Sequence, residues 1–251
     1  MNSTHDWLDP TPHQLRDEVG DYVPWYLDFE QTVMMEMPIE QLAPRLPPGL
    51  VPRTVRPGVG LLNLGVVRFD SGNVGRLPAF WEIFTSVVVQ PDLSGGRVPT
   101  FAEFVLSVAG TDADFLTWAA AVDRMPVVDA PGLEVDYDPE TLSLRVFDDR
   151  GPIVDLRMAH PDPHFEPRIF EDQAFTQTGT TLWQMVVRWV GEAFEHQHQS
   201  GPPAAVFHPH PMFEGLDVSA MGPCYQQLAT PASTTGMLQF YTPRSIGTRA
   251  P

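Results

Sequence analysis

Residues 77–90, with the sequence LPAFWEIFTSVVVQ, alternate in the way that is typical of a β-strand with two buried faces. Phe80, Glu82 and Phe84 fall on one face, while Trp81 and Ile83 fall on the other. Because both faces are largely apolar, the strand is predicted to lie inside a barrel or between two layers. An unpaired Glu82 would be costly there, so it needs a partner, a raised pKa or a catalytic role. A structural ion pair between Glu82 and an arginine is the alternative.

Alternating segments of the same kind recur along the chain. In the segment at 100–109, Glu103 shares a face with Phe101 and Val105 and so repeats the pattern of Glu82. The other predicted strands are residues 26–36, 58–69, 133–137, 141–147, 153–158 and 237–241. Successive strands without intervening helices predict an antiparallel sheet or barrel.

Three helices are predicted to flank this sheet, which makes the fold class α+β. A short helix covers PIEQL at 38–42, and a second covers residues 113–124, with Asp112 as its N-cap and Pro126 after its end. Residues 179–198 change to a helical period and predict the longest helix, whose apolar stripe runs from Leu182 to Phe194. We expect residues 1–25 to form an arm on a single domain of residues 26–251.

The charge and composition of the chain limit its partners. A formal net charge of −17 argues against nucleic acid and anionic membranes, which are bound through clustered basic residues. The single cysteine, Cys224, excludes an internal disulfide, and no apolar run approaches the length of a transmembrane helix. We therefore expect a cytoplasmic protein with a hydrophobic small-molecule partner, and we leave homo-oligomerisation open.

The histidines and nucleophiles form no familiar catalytic motif. His208 and His210 share one side of an extended HPHP segment, but a third metal ligand is missing. A single histidine that donates a hydrogen bond in a pocket is preferred, which makes His208 a candidate. The chain has no GxSxG elbow and no glycine-rich phosphate loop, and no group that would lower the pKa flanks Cys224. We therefore expect no metal and no cofactor.

Lysine is missing from the sequence. All 15 cationic side chains are arginines, for which a coding bias is the simplest cause. Whatever the cause, no side-chain amine can form a Schiff base with a carbonyl substrate. The remaining candidates near the apolar strands are Glu36, Arg68, Glu82, Glu103, Asp123 and Arg124. A barrel interior with an acid, an arginine and aromatic side chains suits a hydrophobic carbonyl, enol or carboxylate compound.

Three segments resemble, in the same order, parts of the acetoacetate decarboxylase family. They are PIEQLAPRLPPGL at 38–50, WEIFTSVVVQ at 81–90, and HPHPM at 208–212 followed by LDV at 216–218. They are similar to the family's short helix and turn after its first strand, to its glutamate-bearing central strand, and to a segment near its end. The resemblance covers about two thirds of the chain. It implies a cone-like antiparallel barrel around an apolar pocket, often within an oligomer.

The resemblance fails at the family's catalytic lysines. In the family a lysine pair follows a short helix and a proline, and the nearest counterpart here is Pro126 followed by Val127 and Val128. Decarboxylation through an imine therefore cannot operate. Glu82 matches the family's pocket glutamate, but the arginine of the family's first strand falls near Glu36. The predicted helix from 182 to 194 has no family counterpart that we can place.

The resemblance implies a pocket for keto acids or polyketide-like molecules without the family's chemistry. We expect a cofactor-independent cyclase or lyase of specialised, polyketide-type metabolism, with Glu82 as acid or hydrogen-bond partner and Arg68 or Arg124 orienting a carboxylate or enolate. The other predicted substrate-binding residues are Trp81, Phe84, Glu103, Val127, Val128 and His208. The alternatives are a non-catalytic carrier of an apolar ligand, and a hydrolase or decarboxylase with a metal at His208 and His210.

Overall fold

The computed structural model describes residues 15–16, 20–71, 73, 77–92, 99–158, 164–197, 204–230 and 236–248. Fourteen strands lie within these ranges. They are β1 (Leu15–Arg16), β2 (Asp21–Pro38), β3 (Val59–Phe69), β4 (Phe80–Val88), β5 (Phe101–Gly110), β6 (Glu134–Asp138), β7 (Ser143–Asp148), β8 (Gly151–Arg157), β9 (Glu166–Thr178), β10 (Thr181–Gln197), β11 (Ala205–Phe207), β12 (Cys224–Ala229), β13 (Gly236–Tyr241) and β14 (Arg244–Thr248). The helices are α1 (Ile39–Leu42) and α2 (Ala113–Ala121), with short 3₁₀ turns at Ala43–Arg45, Pro211–Phe213 and Val218–Ala220.

The main sheet closes into a barrel of seven strand positions. Its order is β2, β3, β4, β5, β9 and β10, and the last position is filled by β12 and β13, which lie one after the other between β10 and β2. All of these pairs are antiparallel except the pair of β5 and β9, which is parallel. The α+β barrel expected from the alternating pattern is therefore confirmed.

A second sheet of four strands, in the order β11, β8, β7 and β6, covers part of the outer face of the barrel. Phe29 and Ile83 point outward from the barrel into the buried core between the two layers, where they meet Val146 and Ile153 of the second sheet. This layer explains why strand β4 is apolar on both faces. One face looks into the barrel, and the other is covered by the second sheet.

Helix α2 packs across one end of the barrel through its aromatic side chains. The Asp112 carboxylate caps its first turn by accepting a 2.8 Å hydrogen bond from the Phe115 backbone N–H, as the sequence predicts. Phe115 and Trp118 pack against Trp25, with ring centroids 5.7 and 5.0 Å apart. The helix ends at Ala121, three residues earlier than expected, because the following chain turns back toward β5.

The long helix predicted at 179–198 is wrong, because residues 181–197 form strand β10. Thirteen residue pairs join β10 to β9, and Gly179, at φ +58°, allows the tight turn between them. The apolar positions at helical spacing are real, but they are divided between the buried inner face and the half-buried outer face of a strand. The β-branched residues Val186, Val187 and Val190 suit the extended conformation.

The start of the domain also differs from the expected boundary. Strand β2 begins at Asp21, so Trp25 lies within a barrel strand rather than at the end of an arm. Trp25 is almost completely buried. Most of the predicted arm at 1–25 lies outside the described residues. In the part of the chain that the structure describes, no helix is long and apolar enough to cross a membrane.

Candidate active site

The barrel encloses a cavity of about 310 Å³. Its wall is formed by the inward-facing residues of β2, β3, β4, β5, β9, β10, β12 and β13. Most of the wall is apolar and includes Val67, Phe84, Phe101, Val108, Phe170, Trp189 and Phe240. A volume of this size lies at the lower end of the range for small-molecule sites.

Strand register brings five carboxyl groups to this cavity, one of them being that of Glu195 on β10. Glu30 on β2 is paired with Val67 on β3, and Val67 is paired in turn with Glu82 on β4, so the two glutamates lie in one row across the wall. Glu103 on β5 and Asp172 on β9 line the same cavity. Glu82 and Glu103, which the sequence places on two separate strands, therefore face one enclosed space.

Glu82 is buried without a partner among the described residues. Its side chain is 7% exposed, and it has no hydrogen-bond or ion-pair partner among the described residues. Burial raises its pKa to about 8, and the nearby charges of Glu30 and Glu103 add to this effect. The structural ion pair considered from the sequence is not formed with any described arginine. A carboxyl group in this environment is protonated at neutral pH.

Glu103 is held by two hydrogen bonds. Asn63 Nδ2 donates to Glu103 Oε2 over 3.0 Å, and Ser86 Oγ donates to the same oxygen over 2.5 Å. Burial raises the pKa of Glu103, while these two donors favour the charged form and limit the rise. Glu103 is therefore positioned by its neighbours, whereas Glu82 is left available for a ligand.

Glu30 and Asp172 complete the acidic group. Thr32 Oγ1 donates to Glu30 Oε1 over 3.0 Å, and the Trp189 indole lies within electrostatic reach without the geometry of a full hydrogen bond. Burial raises the pKa of Glu30 to about 7 and that of Asp172 well above its ordinary value. One oxygen of each side chain, Glu30 Oε2 and Asp172 Oδ1, is enclosed without a hydrogen-bond partner among the described residues.

A further acid, Asp123, lies behind this group in the segment after α2. It is 4% exposed and does not line the cavity, but it is close enough to Glu82 for their charges to interact. Burial raises its pKa well above the ordinary value, and Glu82 raises it further. Glu82 is therefore surrounded by acids on several sides, which favours its neutral form.

Two of the predicted substrate-binding residues share the cavity with Glu82, namely Glu103 and Phe84. Trp81 and Arg68 do not line it, because strand alternation points them to the outside of the barrel. Arg68 donates to Asp28 over 2.9 Å, and the Trp81 ring packs on Phe29 with centroids 5.4 Å apart. Trp81 and Arg68, which were predicted to bind substrate in the pocket, are therefore not part of its wall.

Arg124 and His208 also lie outside the cavity. The Arg124 guanidinium stacks over the Trp183 ring at 5.1 Å from its centroid. His208 belongs to the segment beside the second sheet, where its Nε2 lies 3.0 Å from Asp155 Oδ2. Neither residue can therefore orient a ligand inside the barrel in this arrangement.

The two valines at the expected lysine positions do not line the cavity either. Val127 is 37% exposed, and Val128 donates its backbone N–H to Val108 O over 2.8 Å while its side chain packs toward the second sheet. Within this segment it is Met125 that reaches the cavity wall.

The structure gives no support for a metal or thiolate site. No group of three or more His, Cys, Asp or Glu residues with suitable geometry occurs in the described ranges. His210 Nε2 lies 3.1 Å from Asp148 Oδ2, so both histidines of the HPHP segment already have acidic neighbours. Burial raises the pKa of Cys224 to about 12, which disfavours its nucleophilic form.

Sequence reasoning missed Glu30, Asp172 and Trp189 as members of the site. Glu30 could have been found, since it alternates with Thr32 and Met34 along a predicted strand. Asp172 lies on β9, for which no strand was predicted, and Trp189 lies on the strand that was predicted as a helix. The register that joins these residues to Glu82 is a tertiary property.

The sequence matches no protein-family model and no curated protein. Its fold, however, is similar to several solved structures. An acetoacetate decarboxylase from Legionella pneumophila subsp. pneumophila str. Philadelphia 1 superposes with a TM-score of 0.63 at 13% identity, over 90% of this chain and 89% of that chain. A further acetoacetate decarboxylase superposes with a TM-score of 0.60 at 10% identity, over 90% and 91% of the two chains.

A third similar structure is the enduracididine biosynthesis enzyme MppR, complexed with the condensation product of pyruvate and imidazole 4-carboxaldehyde. It superposes with a TM-score of 0.57 at 12% identity, over 90% of each chain. Identities this low establish a shared fold and not a shared reaction. The resemblance seen in the three sequence segments is thus matched by the architecture, and the chain has the acetoacetate decarboxylase-like fold.

Proposed function

We propose that this protein is a cofactor-independent enzyme that acts on a hydrophobic keto or enol substrate, with Glu82 as its general acid. The observation that carries the proposal is an unpartnered carboxyl group in an apolar cavity, with a pKa of about 8. A protonated carboxylic acid at neutral pH can donate a proton to a carbonyl oxygen, which typically accelerates a reaction by about 10² to 10⁴.

Glu30 supplies the complementary base. Thr32 Oγ1 donates a hydrogen bond to Glu30 and favours its ionised form, whereas Glu82 has no donor among the described residues, so Glu30 is the better placed of the two to ionise. Glu82 then gives its proton to the carbonyl oxygen while Glu30 removes a proton from the neighbouring carbon, and the product is an enol. Closure of a ring by this enol would make the protein a cyclase, and expulsion of a leaving group would make it a lyase.

Two further observations support this reaction class. The chain has no lysine, so no side chain can carry out the imine chemistry of a Schiff-base decarboxylase. A protein with the same fold has been crystallised with the condensation product of pyruvate and an imidazole aldehyde, which supports a carbonyl-derived ligand. The largely apolar wall also favours a second candidate, a carrier of an apolar small molecule, and in that case the carboxyl groups have no chemical role.

The experiment that separates the two candidates follows α-proton exchange of 4-phenyl-2-butanone in D₂O by NMR. We expect wild-type protein to accelerate exchange and Glu82→Gln to lose at least about 100-fold of that acceleration while it still binds the ketone. The rate should fall as the pH rises above about 8, because Glu82 then loses its proton. Glu192→Gln, an exposed acid on β10 outside the cavity, is the control and should behave as wild type.

Two results would contradict this proposal. Exchange that persists unchanged in Glu82→Gln would remove Glu82 from the chemistry. Binding of the ketone without any acceleration by wild-type protein would favour the carrier.

A further inference from the structure

We infer that the molecule bound in the barrel carries a cationic nitrogen next to its apolar part. The inference deepens the proposed function, since it names the substrate class of the same site. It rests on the placement of acids and arginines around the cavity and on the hydrogen bonds that the acids lack.

The first observation is an imbalance of charge within the cavity wall. The acids among the described lining residues are Glu30, Glu82, Glu103, Asp172 and Glu195. Arg53 is the sole described cation among the lining residues, and it is exposed in the loop before β3. As these acids ionise, the cavity attracts positive charge and repels negative charge.

The second observation is that arginines pair with acids elsewhere in the described molecule. Arg68 pairs with Asp28 on the outside of the barrel, and Arg150 pairs with the buried Asp148 of the second sheet. By contrast, Glu82 is 7% exposed, lines the cavity and has no partner among the described residues. Buried carboxyl groups in folded proteins are normally paired or hydrogen-bonded, so this one is left for a ligand to satisfy.

Two enclosed carboxyl oxygens strengthen this argument. Neither Glu30 Oε2 nor Asp172 Oδ1 has a hydrogen-bond partner among the described residues, and both side chains line the same cavity as Glu82. An ammonium or guanidinium group carries several donors and could satisfy these oxygens if a rotation of each side chain turned them toward the cavity. A neutral hydroxyl group offers one donor and leaves most of these acceptors empty.

The aromatic part of the wall fits the same ligand. Phe84, Phe101, Trp189 and Phe240 present rings to the cavity. The face of an aromatic ring attracts a cation, most strongly when water is excluded. A keto acid is disfavoured for the converse reason, because its carboxylate would lie among buried acids without Arg68 or Arg124, which are both outside the cavity.

Binding of a cation should be linked to proton release. An ammonium group favours the ionised form of its carboxyl neighbours, so Glu30 and Asp172 lose protons when it binds, while Glu82 keeps the proton that the proposed reaction uses. The titratable and charged groups that face Glu82 or the cavity are Glu30, Arg53, Glu103, Asp123, Asp172, Glu195 and Tyr225, with Glu171 beside Asp172. Affinity should therefore increase as the pH rises from about 6 to about 8.5.

The test compares 2-phenylethylamine with 2-phenylethanol by isothermal titration calorimetry at both pH values, in buffers of different ionisation enthalpy. We expect the amine to bind about tenfold more tightly than the alcohol at the higher pH, with release of about one proton. In Asp172→Asn the amine should lose most of this advantage while the alcohol binds as before. The control Glu192→Gln should keep the preference for the amine.

Several results would overturn the inference. The first two are absence of amine binding at both pH values and equal affinity for amine and alcohol. The third is tighter binding of 3-phenylpropionate than of the amine. The fourth is a preference for the amine that survives in both Glu82→Gln and Asp172→Asn. Equal affinity for amine and alcohol with α-proton exchange intact would remove this inference alone. A clear preference for the amine without exchange would remove the proposed reaction alone.

Discussion

The pH dependence of stability offers a direct test of the buried, unpartnered state of Glu82. The perturbation is Glu82→Gln, which keeps the size of the side chain and removes its ionisation. In the folded protein the Glu82 pKa is about 8, against an ordinary value of 4.5. An acid whose pKa is raised by folding contributes stability that is fully present below its unfolded pKa. That stability is lost as the pH rises through the folded pKa.

The magnitude follows from these two pKa values. A carboxyl group with a pKa of 4.5 in the unfolded chain and about 8 in the folded protein loses about 3.5 kcal/mol of unfolding free energy between about pH 5 and pH 8. Glu30 titrates in the same range and shares the proton balance with Glu82. We therefore expect the stability of Glu82→Gln relative to wild type to rise by about 2 to 4 kcal/mol across this interval.

The assay is urea unfolding at a series of pH values, with the difference between variant and wild type taken at each pH. The two proteins should be almost equally stable near pH 5, where the wild-type carboxyl is neutral, and the variant should be the more stable above about pH 8. Glu192→Gln, which removes an exposed acid from β10, should give a curve parallel to that of wild type. Parallel curves for Glu82→Gln as well would refute the reasoning, since they would mean that the folded protein holds Glu82 in its ordinary ionised state.

Two further substitutions test the packing of the barrel and of the second sheet. In Gly65→Ala the new Cβ would overlap the Phe84 ring, so we expect a loss of about 1 to 3 kcal/mol in urea unfolding and weaker binding of 4-phenyl-2-butanone. Asp148→Asn should cost about 3 kcal/mol at neutral pH, because the buried Asp148 accepts from Arg150 and lies 3.1 Å from His210 Nε2. These bonds outweigh burial and lower the Asp148 pKa, so the cost should shrink as the pH falls through that lowered value. Unchanged ligand affinity in the first variant, or a pH-independent cost in the second, would contradict these interpretations.

Strand alternation in the sequence was sufficient to assign Glu82 and Glu103 to strands with apolar faces. The pattern around Glu82 and Glu103 predicts two strands that carry acids on apolar faces, and both strands form where expected. The Asp112 cap and the absence of lysine are also readable without a structure, because each depends on local geometry or on composition alone. These features constrain the fold class and exclude side-chain imine chemistry.

The tertiary structure decided which faces meet. Alternation shows that Trp81 and Glu82 lie on opposite faces, but it cannot show which of them is inside when both faces are apolar. β10 appeared helical because apolar residues such as Val186 and Val190 also occupy its half-buried outer face, so the strand has no strict polar alternation. Closure of the barrel brings Glu30, Glu82, Glu103 and Asp172 to one cavity from four strands that are distant in sequence. The hydrogen-bond register between those strands determines which acids share the cavity, and no single segment of the sequence specifies that register.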